Sequence, residues 1–452
     1  MKRNAVGSGV HLTSGSESLT SSTGAVTLLR TVAVSRLAKE LSAQLAPCRA
    51  GRAVHDPGKT VLDVAIAIAL GGDCLADVAV VRAQPELFGT VASDPTVSRL
   101  VDRLAAEPEQ SIAAIRAARA AARARVWGHR SPVSATGQVV VDLDATLVGA
   151  HSEKEQAAPT YKRGFGFHPM LAFVDHAEHS TGEPLAGMLR PGNAGANDAA
   201  DQIAVLDAAL AQLPEQARSR VLVRGDAGSG VKAFLAHVHE LGLRFSVGMN
   251  LRGPLLDALD RLPEQAWRAA LDPDGQPREG AQVAELTRLL PATFTGWPPG
   301  TRIIVRRERP HPGAQLRITD VNGWRLTAFA TNTKGWRLPD LEVRHRLRAH
   351  AEDRIRGLKD TGLTNLPLHA FDKNQIWVEI AQLAYELTVW TQVLGFHDQP
   401  ARSWEPKKLR LRIFAVAGRL ITSGRRRTLR ISKRWPWADV ILSGHQALAS
   451  YP

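Results

Sequence analysis

Between Gln138 and Met249 the chain alternates strand and helix signals, and no other feature restricts its fold as much. The runs V-V-V-D-L-D and F-H-P-M-L-A-F-V-D read as two adjacent strands. A helical spacing follows at about 198–213, then strand V-L-V-R-G-D, helix V-K-A-F-L-A-H-V-H-E-L and strand R-F-S-V-G-M. Apolar residues at period 2 cover a sheet, and those at period 3.6 form a stripe that packs on it. The expectation is therefore an α/β core.

At 452 residues the chain exceeds a single compact core, and 44% hydrophobic content is enough to fill two or three. Residues 26–130 are rich in Ala, Leu, Val and Arg at helical spacing, which predicts an all-helical domain preceding the core. In it Asp94 reads as an N-cap and Pro95 as the first helical residue. Arg99 with Arg103, and Arg116 with Arg119 and Arg123, recur at helical intervals; such faces suit a DNA groove or plain solvent equally. After Asn250 the alternation stops. Pro and Gly turns with R-I-I-V-R-R and W-R-L-T-A-F-A-T predict a mostly β insertion, and helical periodicity returns from Asp340 past Gln392. The expected organisation is a disordered leader (1–25), a helical DNA-binding domain (26–130), a core in two parts (131–250 and 339–400) flanking a β-rich insertion (251–338), and a basic C-terminal segment (401–452).

Several function classes drop out. The Ser/Thr/Gly-rich leader lacks the apolar stretch of a signal peptide, and the most apolar window, 61–70, contains Asp63 and is too short to cross a bilayer. Cys48 and Cys74 have no Cys-x-x-Cys spacing, which excludes a disulfide framework and fits a reducing, cytoplasmic setting with both thiols packed as apolar groups. D-P-G-K-T at 56–60 lacks the first glycine of a P-loop, since Ala53 stands there, and Ala227 removes the first glycine of a nucleophile elbow around Ser229. His176 and His179 in D-H-A-E-H-S read as a polar turn, not a zinc site.

A formal charge of +13 makes a polyanion the expected partner. Residues 401–452 hold 12 Lys and Arg against Glu405 and Asp439, interleaved with Trp404, Trp435 and Trp437, a composition suited to phosphate contact. Lys154, Lys162, Arg163 and His168 crowd a short stretch with Tyr161, Phe165 and Phe167. That stretch reads as the rim of a DNA-binding cleft, or as a hairpin loop with solvated cations.

Asp144 and Asp226 each end a strand-like run, and Glu352 lies on a helical pattern whose face also carries Arg348, Ile355 and Lys359. Three acids on two strands and a helix suit two divalent metals about 3.5–4 Å apart, one activating an attacking oxygen and one stabilising a leaving oxygen. Oxygen ligands of this kind favour magnesium. Asp142, two residues before Asp144 on the same strand face, is a rival first acid, and Asp175 a weaker one.

The spacing Arg348, three residues, Glu352, six residues, Lys359 resembles the Y-(2)-R-(3)-E-(6)-K signature of DDE transposases from bacterial insertion sequences, with His345 in place of Tyr. V-V-V-D-L-D-A-T-L-V and H-S-E-K-E-Q-A-A-P-T-Y-K-R-G-F-G-F-H-P resemble the first-Asp region of their DDE group 1 members, and V-R-G-D-A-G-S-G the second. The upstream G-G-D and S-D-P-T-V-S-R segments extend the resemblance through most of the chain.

The resemblance implies an RNase H-like core interrupted by the β insertion, two magnesium ions with manganese as a substitute, and double-stranded DNA partners: the terminal inverted repeats of the element and the target. It implies a dimer in the nucleoprotein complex and cut-and-paste chemistry, with no membrane partner. Asp144, Asp226 and Glu352 match the metal-binding catalytic triad; His345, Arg348 and Lys359 match positions that contact DNA phosphates. The family pattern of a catalytic Asp before a small residue and Thr favours Asp144 over Asp142. Two departures stand out. A histidine at 345 would bring pH dependence near neutrality, and no aromatic residue follows Asp226 closely. The competing readings are a non-catalytic DNA-binding protein of the same fold and a stand-alone metal-dependent nuclease.

Overall fold

The computed structural model describes residues 19–134, 137–151, 153–177, 181–310, 323–424 and 426–452. A nine-stranded mixed sheet forms its centre, in the order Arg268–Leu271, Pro277–Glu285, Arg302–Glu308, Arg325–Thr331, Arg244–Met249, Val221–Gly225, Val139–Ala145, Met170–Asp175 and Gly182–Met188. Val139–Ala145 and Val221–Gly225 run parallel, as do Val221–Gly225 and Arg244–Met249; the remaining pairs are antiparallel. Met170–Asp175 is buried at every position, because helices cover both of its faces, and its sequence is accordingly a nearly continuous apolar run. The four strands expected of an insertion join the edge of this same sheet through Arg325–Thr331, so they extend the core layer.

Residues 26–130 contain helices Val26–Ser35, Leu37–Gln44, Pro57–Ala69, Asp94–Ala106 and Pro108–His129 with no strand. They do not stand apart. Leu28, Leu41, Ile66 and Ala122 belong to one apolar cluster with Val141, Phe173, Trp377 and Leu448. The hub is helix Phe371–Gly395, in which every residue from Asn374 onward is buried. A helix enclosed on all sides needs partners for its polar groups. Asn374 supplies one such pair locally, bonding both the N–H and the carbonyl of Leu368, while Trp377 and Tyr385 pack in the core as expected. Of the expected leader, residues 1–18 lie outside those described; Leu19–Thr20 pairs with strand Gly418–Ser423. Asp94 opens its helix, one position inside the Ser93 N-cap, and pairs with Arg82 at 2.8 Å. Asp56 of D-P-G-K-T caps helix Pro57–Ala69 through the Lys59 N–H at 2.7 Å. No helix among the described residues is long and apolar enough to cross a membrane.

The arginines of helix Pro108–His129 overturn the groove-facing reading. Arg119 and Arg123 are fully buried. Arg119 binds Glu386 at 2.8 Å and Glu379 at 3.1 Å, Arg123 binds Glu183 at 2.7 Å and also Glu386, and Arg116 reaches Glu379 at 2.5 Å. Burial pulls Arg123 down to about 10, leaving it cationic at neutral pH. Burial alone would raise the Glu183 carboxyl, but hydrogen bonds and charge from His176, Arg123 and Trp390 hold it well below the usual carboxylate range. His176 thus serves this cluster, and His179 lies outside the described residues. Charges this deep persist only when paired and hydrogen-bonded.

Asp63 offers a pH test of the helical layer. Burial pushes its carboxyl up to about 6 although Lys59, at 2.5 Å, opposes the shift. A raised folded value means that the stabilising contribution is complete below the unfolded value near 4 and is lost as pH rises through about 6. The difference corresponds to roughly 3 kcal/mol. Asp63→Asn is expected to flatten this part of the stability profile, read as a thermal midpoint that changes less than wild type between pH 4 and 7. Parallel profiles for the two proteins would refute it.

Candidate active site

The parallel register pairs Leu143 with Gly225, so Asp144 and Asp226, each the next residue along, stand side by side at one end of neighbouring strands. Asp144 Oδ1 accepts the Ala145 N–H at 2.8 Å, and Asp226 accepts the Gly228 N–H at 2.8 Å, capping the turn Ala227–Ser229. Gly248 on the next strand lets that turn sit close: a Cβ there would come within 2.7 Å of the Ala227 nitrogen. Glu352 lies exposed in the first turn of helix His350–Leu358.

Burial, with the charges of Asp226 and Glu352, pushes the Asp144 carboxyl up to about 6 against the opposing effects of Arg348 and the Ala145 N–H. The Arg348 guanidinium lies 3.9 Å from Asp144. Hard oxygen donors around Asp144, whose ionised form burial and the neighbouring carboxylates disfavour, fit a divalent cation, which would offset both effects. The three carboxylates are not all within 4.8 Å of one another. Among the described residues that spacing is met by Asp73, Cys74 and Asp77, where Asp77 accepts the Asp73 and Cys74 N–H groups as a turn cap. Both cysteines are free and half-buried, less enclosed than expected of packed apolar groups.

A cavity of about 320 Å³ opens onto Asp144 and Asp226, with Tyr161, His168, Asn193 and Ser229 in its walls. The Nδ1–H of His168 donates to the Ala194 carbonyl at 2.8 Å, and burial keeps the ring below the usual histidine value. Lys162 and Arg163 are exposed on the loop beside Tyr161. Lys359 is half-buried and donates to the Leu147 carbonyl at 2.9 Å; burial and nearby Lys162 lower its ammonium.

The rival acid has a different role. Asp142 is fully buried, bound to Arg224 at 2.7 Å and to Arg354 at 2.5 Å; Asp175 meets Arg224 at 2.6 Å and Arg354 at 2.5 Å. Asp175 also caps a turn through the Ala177 N–H at 2.9 Å. Arg354, two residues from Glu352, thereby clamps the Glu-bearing helix onto the sheet. Sequence reasoning missed this clamp, although the D-L-D spacing and the Glu352–Arg354 pair were its visible signs.

The region around Glu352 is not one regular helix. Leu338–Arg346 passes through a tight turn, Leu347–Ala349, into His350–Leu358. His345, in the last turn of Leu338–Arg346, faces inward: its ring stacks on Phe329 at 4.4 Å and its Nδ1 shares a hydrogen bond with Ser246 at 3.0 Å. Burial and the charges of Arg348 and Arg224 push it down to about 3. The pH dependence near neutrality expected of His345 does not follow, because the ring is neutral throughout that range.

A family model, transposase DDE domain group 1, matches residues 3–452. The chain belongs to this transposase family. No curated protein matches. Among solved structures, a piggyBac transposase synaptic complex with hairpin DNA aligns at 9% identity, covering 86% of this chain and 79% of that one, with a TM-score of 0.41.

Proposed function

We propose that this transposase performs cut-and-paste transposition, cleaving DNA at the terminal inverted repeats of an insertion sequence and joining the freed ends to a target. The observation that carries the reading is the pairing of Asp144 with Asp226 across parallel strands, with Glu352 near enough to raise the Asp144 carboxyl. The five strands from Gly182–Met188 to Arg244–Met249 would be the RNase H-like core, extended by the four of the insertion.

Asp144, Asp226 and Glu352 would hold two magnesium ions, or manganese in their place, which supply Lewis-acid stabilisation of charge on the phosphoryl oxygens. Arg348, 3.9 Å from Asp144, offsets the charge of the acids and would offer a cation to the scissile phosphate. Lys162 and Arg163, exposed next to the cavity-lining Tyr161, and the half-buried Lys359 would supply cations along which a DNA backbone could be fixed. The enclosed His345 supports the Arg348 turn by packing, in place of a direct phosphate contact. Two ends cut in concert call for a dimer on double-stranded DNA.

The test is magnesium-dependent cleavage of a labelled duplex carrying the element end, by wild type and by Asp226→Ala. Cutting by wild type alone, with joined products, is the expected result. Hydrolysis without joining would favour a nuclease, and binding without cutting by either protein a non-catalytic DNA-binding protein.

A further inference from the structure

The basic C-terminal segment folds into a device that its composition did not specify. Strands Gly418–Ser423 and Arg426–Ile431 form an antiparallel ribbon in which Arg419 stands directly opposite Arg430 and Ser423 opposite Arg426; Leu19–Thr20 adds a third strand at its base, beside Arg419 and Gly418, and from Leu420 onward the hairpin has two strands. Alternation puts Arg419, Arg426 and Arg430 on one face with Ile421, Ser423 and Thr428; Ile421 is partly buried and the other five are exposed. The other face carries Leu420, Leu429 and Ile431, which are partly buried, and Arg427, whose guanidinium binds Glu86 of the helical layer. The ribbon is thus fastened from behind with its arginine face outward.

Among the described residues the side chains of Arg419, Arg426 and Arg430 have no hydrogen-bond or ion-pair partner. Like charges directly opposed across a ladder destabilise it, so a free Arg419–Arg430 pair is a cost in the unbound protein that a polyanion would reverse. Arginine presents a planar fork that matches guanine O6 and N7, and the major groove of B-DNA admits a two-stranded ribbon. Arg426 and Arg430 are four residues apart, ~13 Å along the strand, or about four base-pair steps. In the helical layer Arg116, Arg119 and Arg123 are consumed by internal pairs, whereas Arg99 and Arg103 are exposed on helix Asp94–Ala106.

We propose that this ribbon enters the major groove of the terminal inverted repeat and supplies the base contacts by which the protein selects its own element end. The inference rests on the transposase reading but concerns recognition, so it is scored by binding and not by cleavage. The full-length protein is titrated against a labelled duplex carrying the terminal repeat and a scrambled duplex of equal composition, at several salt concentrations. Wild type is compared with Arg419→Gln/Arg426→Gln/Arg430→Gln and with Arg99→Gln/Arg103→Gln.

The ribbon variant is expected to lose ~100-fold or more of its affinity for the terminal repeat and most of its preference over the scrambled duplex. Arg99→Gln/Arg103→Gln weakens binding to both duplexes alike. N7 methylation of guanines within the repeat blocks wild-type binding. A ribbon variant that melts as wild type does and keeps the preference overturns the proposal, as does interference by adenine N3 methylation alone, which marks the minor groove. If the triple variant does not fold, Arg419→Gln or Arg430→Gln alone must still reduce the preference about tenfold or the proposal fails. A wild-type protein with no preference for the terminal repeat would overturn this inference together with the transposase reading, whereas a preference indifferent to the ribbon overturns the inference alone.

Discussion

Glu352→Gln will abolish cleavage of the element end, by roughly 10³-fold or more, while leaving binding to the same duplex within a few-fold of wild type. The substitution removes a charge and retains the shape of an exposed side chain in the first turn of helix His350–Leu358. The helix itself is held by Arg354 on Asp142 and Asp175, a clamp that Glu352 does not touch, so the fold should not change. The loss therefore falls on the step in which negative charge must be stabilised on the phosphoryl group. Single-turnover cleavage and an equilibrium binding titration on the same labelled duplex separate the two effects. Cleavage retained within tenfold would remove Glu352 from the triad. Lost binding would instead make its helix part of the DNA-gripping surface.

The second large effect lies far from the chemistry. Glu386→Gln should lower stability by about 3–5 kcal/mol, because Arg119 and Arg123 would remain in the core with one anion fewer. Glu386 accepts Arg119 at 2.8 Å and Arg123 as well, and all three side chains are fully buried. The expected readout is a thermal midpoint lower by roughly 3–5 °C. Replacing Arg123 and Glu386 together, by Met and Leu, should recover a large part of that loss, since an apolar pair of similar volume leaves fewer uncompensated charges. A midpoint unchanged in Glu386→Gln would mean that water reaches the cluster. A double variant as unstable as the sum of its singles would mean that the two residues act independently.

How much of this could be read before folding differs from residue to residue. The strands carrying Asp144 and Asp226 were legible because a period of two is local, and so was the ambiguity between Asp142 and Asp144, which share a strand face. What separates these two acids is what meets each from above. Arg224 and Arg354 neutralise Asp142, and Asp144 is left facing Asp226 and Glu352. The spacing around Glu352 was visible as well, but the short helical turn at Leu347–Ala349 was not, nor was the packing of the buried His345 ring against Phe329. The C-terminal excess of cations was plain in composition; that its arginines divide between an anchoring face and an open one required the ribbon register.

The sequence by itself determined the alternating core, the positions of its acids and the family to which the chain belongs, because each is written in spacings of a few residues. Tertiary structure decided the fate of the charges. An arginine four residues from another has the same local pattern whether its partner is solvent, a phosphate or a carboxylate 263 residues away, as for Arg123 and Glu386. Only packing, by removing water from one environment and leaving it in another, distinguishes a buried ion pair from a surface that awaits DNA.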